Sequence, residues 1–483
     1  MNERRTLKYL ALATLLFAFF GFYAVKVWDI DFWWHIAAGR NILDNGIIPS
    51  ADPFGMYDAA NACGQTVLKS EWLGQVLLYA VYRGFGLDGI IWLRAGVLSL
   101  CLAIVYFRSR LASGTSSFAL AITALAGLAI LHHTGERPQL FSFLFISLLF
   151  LLLDGFIRYR KSWLLYCIPP LMLLWSNTHA GALMGVAALG LFGIGYILEN
   201  RWTEGRFDTT ENNSMLVVVC LSCIILVTAP SGLDTFKCII FQQSGPVREM
   251  VSEYASPWSL WPATLYYWIF IGVTLASLPG FSGRAYFKQG ALVVALGMIS
   301  VVGYRYIPFF VLVASPYVAA SLSRILKRLK IPGVAAHVSV LLIALAFIVY
   351  GFKQEKMFQH GLQEQRFPVG AVSYVKAHRL SGNMFNTMNW GGYLLWNLYG
   401  TTNLFIDGRT LDPYRVAPYT NILWATADGL RYFERAHFDL VLVSPGNAFT
   451  GERYPLIAYL QKQPGWQLVY QDRSGYLFAK RAN

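Results

Sequence analysis

The stretch "LKYLALATLLFAFFGFYAVKVWDIDFWWHIAAGR", Leu7 to Arg40, decides the fold. Its first part, Leu7 to Val27, is apolar over the roughly 17 to 25 residues that a helix needs to cross a bilayer. "MNERR" before it resembles the charged start of a signal peptide, but no small-residue cleavage site follows, so the run reads as a retained span. Its second part, Trp28 to Arg40, leaves the apolar run with two aspartates, a histidine and three tryptophans. An aromatic belt at a membrane interface accounts for Trp28, Trp33 and Trp34. It does not account for Asp29, Asp31 and His35.

Working outward, the composition agrees with this start. Of 483 residues, 56% are hydrophobic and only 13% are charged, against roughly 25% charged in ordinary soluble domains. The chain reads as a mainly α, polytopic membrane protein. Further runs of spanning character are Gly89–Phe107, Leu140–Ile157, Ala180–Leu198, Ala263–Leu278, Gln289–Tyr304, Ile307–Leu322 and Gly333–Phe352. Shorter ones are Ser117–His132, Trp163–Trp175 and Met215–Ala229. They predict about eleven spans.

The net charge of +13 follows from topology. With the N-terminus inside, "NERR", "RSRLASGT", "RYRKS", "ENRWTEGRFDTTENN", "SGRAYFK" and "SRILKRLK" all fall on the cytoplasmic side, where short basic loops collect. No basic run carries interleaved stacking aromatics, which excludes a nucleic-acid surface. The opposite loops hold the unusual polar residues, and the C-terminus lies outside with them. The expected organisation is a transmembrane domain over 1–352, with a large first outer loop at 28–88, and a soluble extracytoplasmic α/β domain over 353–483.

In that tail, "FPVGAVSYVKAHRL", "GGYLLWNL" and "ERYPLIAYLQKQPG" read as helices. "GNMFN", "TNLFID" and "FDLVLVSP" read as strands, and "WQLVYQD" with "GYLFAKR" as a closing strand pair. No GxGxxG or phosphate-loop pattern and no fixed repeat is present. Cys101, Cys167, Cys220 and Cys223 lie in apolar runs. Cys63 and Cys238 fall in outer loops, where the compartment permits a disulfide between them.

The chemistry concentrates on the outer side. Asp29 and Asp31, two apart at the end of the first span, can aim both carboxylates at one cation or leave one as a base, and charged groups at this depth are costly unless solvated or functional. His35, Arg40, Asp52 and Glu71 share their loop. Cations recur in the other outer loops: Arg137 after His132, His133 and Glu136 in "HHTGERPQL", His179 after Asn177 in "WSNTHAG", Lys237 and Arg248, and Arg305 between two spans. A single arginine at a helix end commonly only snorkels to headgroups; several on the face that holds the carboxylates form a candidate phosphate clamp. No zinc spacing occurs. In the tail, Asn386, Trp390, Asp407 and Arg409 follow strand-like segments, where loops carry binding groups. The structural alternative, an Asp407/Arg409 pair with Gly391 and Gly392 permitting close packing, stays open.

At these residues the chain resembles a known family. "DIDFWWHIAAGRNILDNGIIPSADPF", with a carboxylate just after the first span, resembles the first outer loop of the GT-C superfamily of integral-membrane glycosyltransferases. "RPQLFSF", "WSNTHAGALMG", "PSGL", "EYASP", "YRYIPFF", "NWGGYLLW" and "FIDGRTLDPY" resemble a large set of bacterial membrane proteins placed near it. Together these motifs cover nearly the whole chain.

The resemblance implies an inverting transferase that moves a hexose or pentose from a polyprenyl-phosphate carrier to a glycan, lipid or protein acceptor, at the outer face of a bacterial inner (plasma) membrane. Asp31 would be the base, with Asp29 or Glu71 orienting it or sharing a cation. Arg137, His179 and Arg305 would face the donor phosphate. Superfamily members commonly carry adjacent acids, whereas Ile30 separates the two here, so a divalent cation (Mg or Mn) held by Asp29 and Asp31 is an expectation only for a metal-dependent reaction. The alternatives from other classes are a non-catalytic binding or scaffold protein of envelope polysaccharide assembly and a transporter, for which "CIPPLMLLW" supplies one broken helix without a partner in a second half.

Overall fold

Every expected apolar run is helical in the computed structural model, which describes residues 2–54, 62–204, 210–242, 252–281, 286–326, 333–409, 413–447 and 450–481. Arg248 lies outside the described residues. Among them, seven helices are long and apolar enough to cross a membrane: Thr6–Tyr23, Trp72–Ser113, Gln139–Tyr159, Ala182–Trp202, Thr210–Thr228, Tyr304–Ile325 and Val334–Lys353. Ser116–Ala129, Leu265–Phe281 and Phe287–Val302 are shorter apolar helices. The chain is a multi-pass membrane protein with a small C-terminal sheet.

Trp72–Ser113 is broken at Gly86, whose φ of 63° and ψ of −154° are non-helical. Positive φ at no steric cost is what glycine supplies. The break separates residues 72–85 from the apolar span that follows.

The chain divides into two compact units. The first comprises Met1–Lys26, Phe85–Gly232 and Arg248–His360. Its helix Asn2–Tyr23 packs along Gly333–Lys353, and its most enclosed helix, Ile307–Ile325, packs against Ser116–Ala129, Gln139–Tyr159, Leu265–Ser277 and Phe287–Val302. Pro316 inside that helix lacks the N–H that would bond the Leu312 carbonyl. Buried Arg108 takes its place, donating from Nη1 to Leu312 at 3.1 Å, while its Nε bonds Asp154 Oδ2 at 2.7 Å. The Tyr317 hydroxyl donates to the other oxygen of Asp154 at 2.8 Å. An ion pair in an apolar setting persists when further hydrogen bonds hold it; here the Leu312 carbonyl and the Tyr317 hydroxyl supply them, while Arg108 Nη2 stays buried without a partner among the described residues.

Arg94 performs a similar service where the first helix ends. It is fully buried, pairs with buried Glu136, and donates to the carbonyls of Tyr23 at 2.9 Å and Thr134 at 3.1 Å, and to that of Val25. Tyr23 is the last helical residue, so the guanidinium satisfies carbonyls that the helix itself leaves unpaired.

The second unit comprises Val27–Gly84, Leu233–Val247 and Gly361–Asn483. Its sheet contains β1 (Gly382–Asn386), β2 (Thr402–Leu404), β3 (Leu440–Val443), β4 (Trp466–Gln471) and β5 (Tyr476–Lys480) in the order β2-β1-β3-β5-β4. β1 is parallel to β2 and β3, with Met384 opposite both Leu404 and Leu440, and β5 is antiparallel to β3 and β4. The expected helices occupy Val369–Ala377, Gly391–Leu398 and Pro455–Lys462. Two more, Pro413–Leu423 and Ala427–Arg435, link β2 to β3 and were not legible in advance.

The segment Val27–Gly84 shares a core with this tail. Helix Phe32–Asn45 packs on Gly391–Leu398. Trp33 makes edge contacts with Phe367 and Tyr393, Tyr82 with Trp396, and Arg40 lies over the Trp396 ring at 4.5 Å. Val27 forms a parallel bridge with Leu362. Cys63 and Cys238 are disulfide-bonded with Cα atoms 5.3 Å apart, joining helices Ala62–Ser70 and Asp234–Gln242.

Candidate active site

In the second unit the site begins where the chain leaves its first apolar helix. Asp29 is buried, and its Oδ1 accepts the backbone N–H of Asp31 at 2.9 Å. This local side-chain to backbone bond turns the chain as short polar residues do in loops. Asp31 then stands at the N-cap of helix Phe32–Asn45, partly exposed, with its carbonyl accepting the His35 N–H at 3.3 Å. Its carboxylate makes no capping bond, yet it sits at the positive end of the helix dipole, which favours an anion. The two aspartates thus have different duties: Asp29 shapes the turn and Asp31 presents its side chain.

The tail supplies the wall around that side chain. A Cβ built on Gly392 would lie 3.0 Å from the Ile30 carbonyl oxygen and 3.3 Å from Trp34, and one built on Gly408 would overlap Asp31 Oδ1. The turn holding Gly408 is fixed from both sides. Asp407 Oδ1 accepts the Arg409 N–H at 2.9 Å, Asp407 Oδ2 pairs with Arg409 Nε at 2.9 Å and Nη2 at 2.7 Å, and Arg409 Nη1 reaches Asp52 Oδ1 at 3.0 Å. Arg409 also lies over the Phe54 ring at 4.9 Å. Asp407 and Arg409 are buried, so the turn is a packed ionic knot. Asn386, at the end of β1, donates to the Ile406 carbonyl at 2.8 Å and accepts from the Phe405 N–H at 3.0 Å. Trp390 is buried, with Nε1 donating to the Arg366 carbonyl at 3.1 Å. His35 and Glu71 lie together, 3.7 Å between Nδ1 and Oε2, with the His35 ring against Trp34.

In the first unit the sequence-selected cations form a second group. Arg137 Nη1 pairs with Glu253 Oε1 at 2.8 Å, and Arg305 Nη1 donates to the Tyr254 hydroxyl at 2.7 Å while lying over its ring at 5.0 Å. Burial tends to raise the Glu253 carboxyl, but Arg137, Arg305 and His133 outweigh it and hold it below the usual range. His133 Nε2 donates to the Tyr304 carbonyl at 3.1 Å and stacks on the Tyr304 ring. Two guanidiniums against one carboxylate leave the group net positive.

His179 completes it. The residue is buried, and its pKa is pushed down to about 3 by burial and by Arg305 and Arg137. Its Nδ1 accepts the Gly181 N–H at 2.9 Å and the Ser142 hydroxyl at 2.7 Å, and that hydroxyl accepts in turn from Trp175 Nε1 at 2.7 Å. Two donors on Nδ1 require the neutral tautomer with the proton on Nε2. His179 therefore offers an N–H donor, not a charge. Asn177 bonds back to the Leu173 carbonyl at 2.8 Å on its own helix.

Glu253, Tyr254, Ser142, Trp175 and Gly408 are site components that residue-level reading did not select. "EYASP" and "FIDGRT" were visible as motifs, but nothing in a sequence shows a carboxylate held by two distant arginines. For a divalent cation, Asp29 and Asp31 are the residues to test. No group of three or more His, Cys, Asp or Glu residues that could hold a metal occurs among the described residues. A cation on this pair would complete its shell with water or substrate oxygens, as magnesium commonly does.

No protein-family model matches the chain, and no curated protein matches it by sequence. Solved structures do match. The oligosaccharyltransferase of Archaeoglobus fulgidus superposes in its apo form with a TM-score of 0.60 at 10% identity, covering 91% of this chain and 69% of that one. The same enzyme in complex with an inhibitory peptide and a dolichol-phosphate gives 0.60 at 11% identity with the same coverage. ArnT from Cupriavidus metallidurans, bound to undecaprenyl phosphate, gives 0.55 at 13% identity, covering 99% of this chain and 98% of that one. The chain shares its fold with the oligosaccharyltransferase and with ArnT. The likeness runs through the membrane helices and the tail alike, since the ArnT match covers both chains almost end to end.

Proposed function

We propose that this protein is a membrane glycosyltransferase that transfers a sugar from a polyprenyl-phosphate donor to an acceptor hydroxyl outside the cytoplasm, with inversion. The observation that carries the reading is the gathering of Arg137 and Arg305 around Glu253, with neutral His179 close to both arginines, on a fold shared with a protein that binds undecaprenyl phosphate. Net positive charge with a neutral N–H donor suits a phosphate that gains charge as it departs.

In this mechanism Asp31 removes the proton from the acceptor hydroxyl as its oxygen attacks the anomeric carbon. The new C–O bond forms as the bond from that carbon to the phosphate oxygen breaks, and the polyprenyl phosphate leaves with the bonding pair. Arg137, Arg305 and the His179 Nε2–H stabilise the departing phosphate, and the isoprenoid tail stays in hydrocarbon throughout. Asp29 orients Asp31 through its bond to the Asp31 amide. The enzyme resides in a bacterial inner membrane with the tail extracytoplasmic. Asp29 and Asp31 would hold a divalent cation in a metal-dependent variant of this chemistry, where the ion would neutralise phosphate charge.

The deciding experiment compares lipid-linked sugars and surface glycans of a deletion strain with those of its parent. A sugar that accumulates on its lipid carrier and disappears from one surface glycan is the expected result. Unchanged pools in both fractions would remove the transferase reading and favour a binding or transport role.

A further inference from the structure

We propose that Gly408, together with Trp34, is a positioning seat for the Asp31 carboxylate, so that the C-terminal tail takes part in aiming the catalytic base. This rests on the reading of Asp31 as the base.

The first observation is the reason for a glycine at position 408. Its backbone is not in the left-handed region that would call for glycine, so conformation does not explain it. Close approach does. A Cβ there would overlap Asp31 Oδ1 and lie 3.3 Å from Asp31 Cγ and 3.6 Å from Trp34 Nε1. Any larger residue must displace either the turn or the carboxylate.

The turn is the less able to move. Asp407 and Arg409 on either side are buried and joined to each other and to Asp52 by charge-assisted hydrogen bonds of 2.7 to 3.0 Å. Asn386 bonds the strand end that leads into it. The Asp31 side chain, by contrast, makes no capping bond to its own helix. The carboxylate and this firmly held turn therefore touch at Gly408, and the tail sets how far the carboxylate can lie towards it.

Trp34 adds a second observation. Its Nε1 is buried and has no hydrogen-bond partner among the described residues, although it lies beside Gly408 and Asp31. Buried indole N–H groups usually find a partner. An oxygen of an acceptor hydroxyl seated on Asp31 would supply one, so the same indole that walls the carboxylate can orient the group it deprotonates.

The test uses the full-length protein in detergent with a panel of radiolabelled hexoses and pentoses linked to undecaprenyl phosphate. Gly408→Ala should lower kcat about tenfold or more with KM for the donor within about twofold, since sub-ångström misplacement of a reacting group is costly. It should also move the acid limb of the kcat–pH profile. Trp34→Phe should lower kcat several-fold in the same way, and it serves as the test should Gly408→Ala not accumulate. In an Asp31→Asn background neither substitution should change the residual rate. Wild-type kcat in both variants, or equal losses with and without the Asp31 carboxylate, would overturn the seat while leaving Asp31 as base. Full activity of Asp31→Asn alone would instead overturn the base itself.

Discussion

His179 accepts the Ser142 hydroxyl on Nδ1 at 2.7 Å, and that bond decides which imidazole nitrogen carries the proton. The ring is neutral in the folded protein because burial, Arg305 and Arg137 push its pKa down to about 3. In the unfolded chain a histidine titrates near 6.5. Below that value the unfolded state binds a proton that the native state refuses, so stability falls as pH drops from about 6.5 towards 3. His133, pushed down to about 4 by burial, adds to the same slope. The melting temperature of the purified protein should therefore decline between pH 7 and pH 4.5, and His179→Gln should flatten the decline. An unchanged slope in that variant would show that His179 is not the buried neutral group responsible.

Asp31 and Asp29 should separate in kinetics. Asp31→Asn keeps size and most hydrogen bonding but removes basicity, so transfer should fall by roughly 10² to 10⁴ with membrane insertion unaffected. Asp29→Asn retains an oxygen that can accept the Asp31 N–H, the bond observed at 2.9 Å, so it should cost less. If the two hold a cation jointly, both variants should be weak and added divalent metal should partly restore them. Initial rates with and without a chelator distinguish these outcomes.

Much of the fold was legible because membrane spans and amphipathic segments write themselves in hydropathy. Each apolar run became a helix, and the tail strands fell where alternating and β-branched runs placed them. The missed helices, Pro413–Leu423 and Ala427–Arg435, fail that signal for physical reasons. One contains Pro418, which argues against a helix interior, and the other is short and highly polar, stabilised by its Thr426 cap, whose hydroxyl accepts the Gly429 N–H at 3.1 Å. The candidate site was read from residue type and from the side of the membrane that the basic loops imply, which is how Arg137, His179, Arg305 and Asp31 were selected. The roles of Gly408 and Glu253 were not legible, because both depend on approach between segments far apart in the chain.

Arg409 should act on stability before it acts on function. It is buried between Asp407 and Asp52, and removing one partner of a buried ion pair typically costs about 3 to 5 kcal/mol because the other charge is left uncompensated. Arg409→Met should lower the melting temperature by many degrees and reduce the folded yield. Arg409→Lys should lie between, since a point charge cannot reproduce the forked contact to Asp407 and the reach to Asp52. A cleanly folded Arg409→Met protein that binds acceptor glycan poorly would instead make this residue a recognition group.

Cys63 and Cys238 test the orientation of the whole chain. Their bond joins two helices across 175 residues of sequence, and disulfides persist in oxidising compartments outside the cytoplasm. In intact cells neither thiol should react with a maleimide-linked polyethylene glycol until reductant is added, after which both should shift the protein's mobility. Cys63→Ser should lower stability by about 2 to 4 kcal/mol, the usual worth of such a cross-link, and the loss should be the same in the double variant, since either single change already opens the bond. A reporter active only outside the cytoplasm should be active when fused after Asn483 and silent after Arg160. Free thiols in unreduced cells, or the opposite reporter pattern, would put the carboxylates and cations of the proposed site on the wrong side of the membrane for a lipid-carried sugar displayed outside.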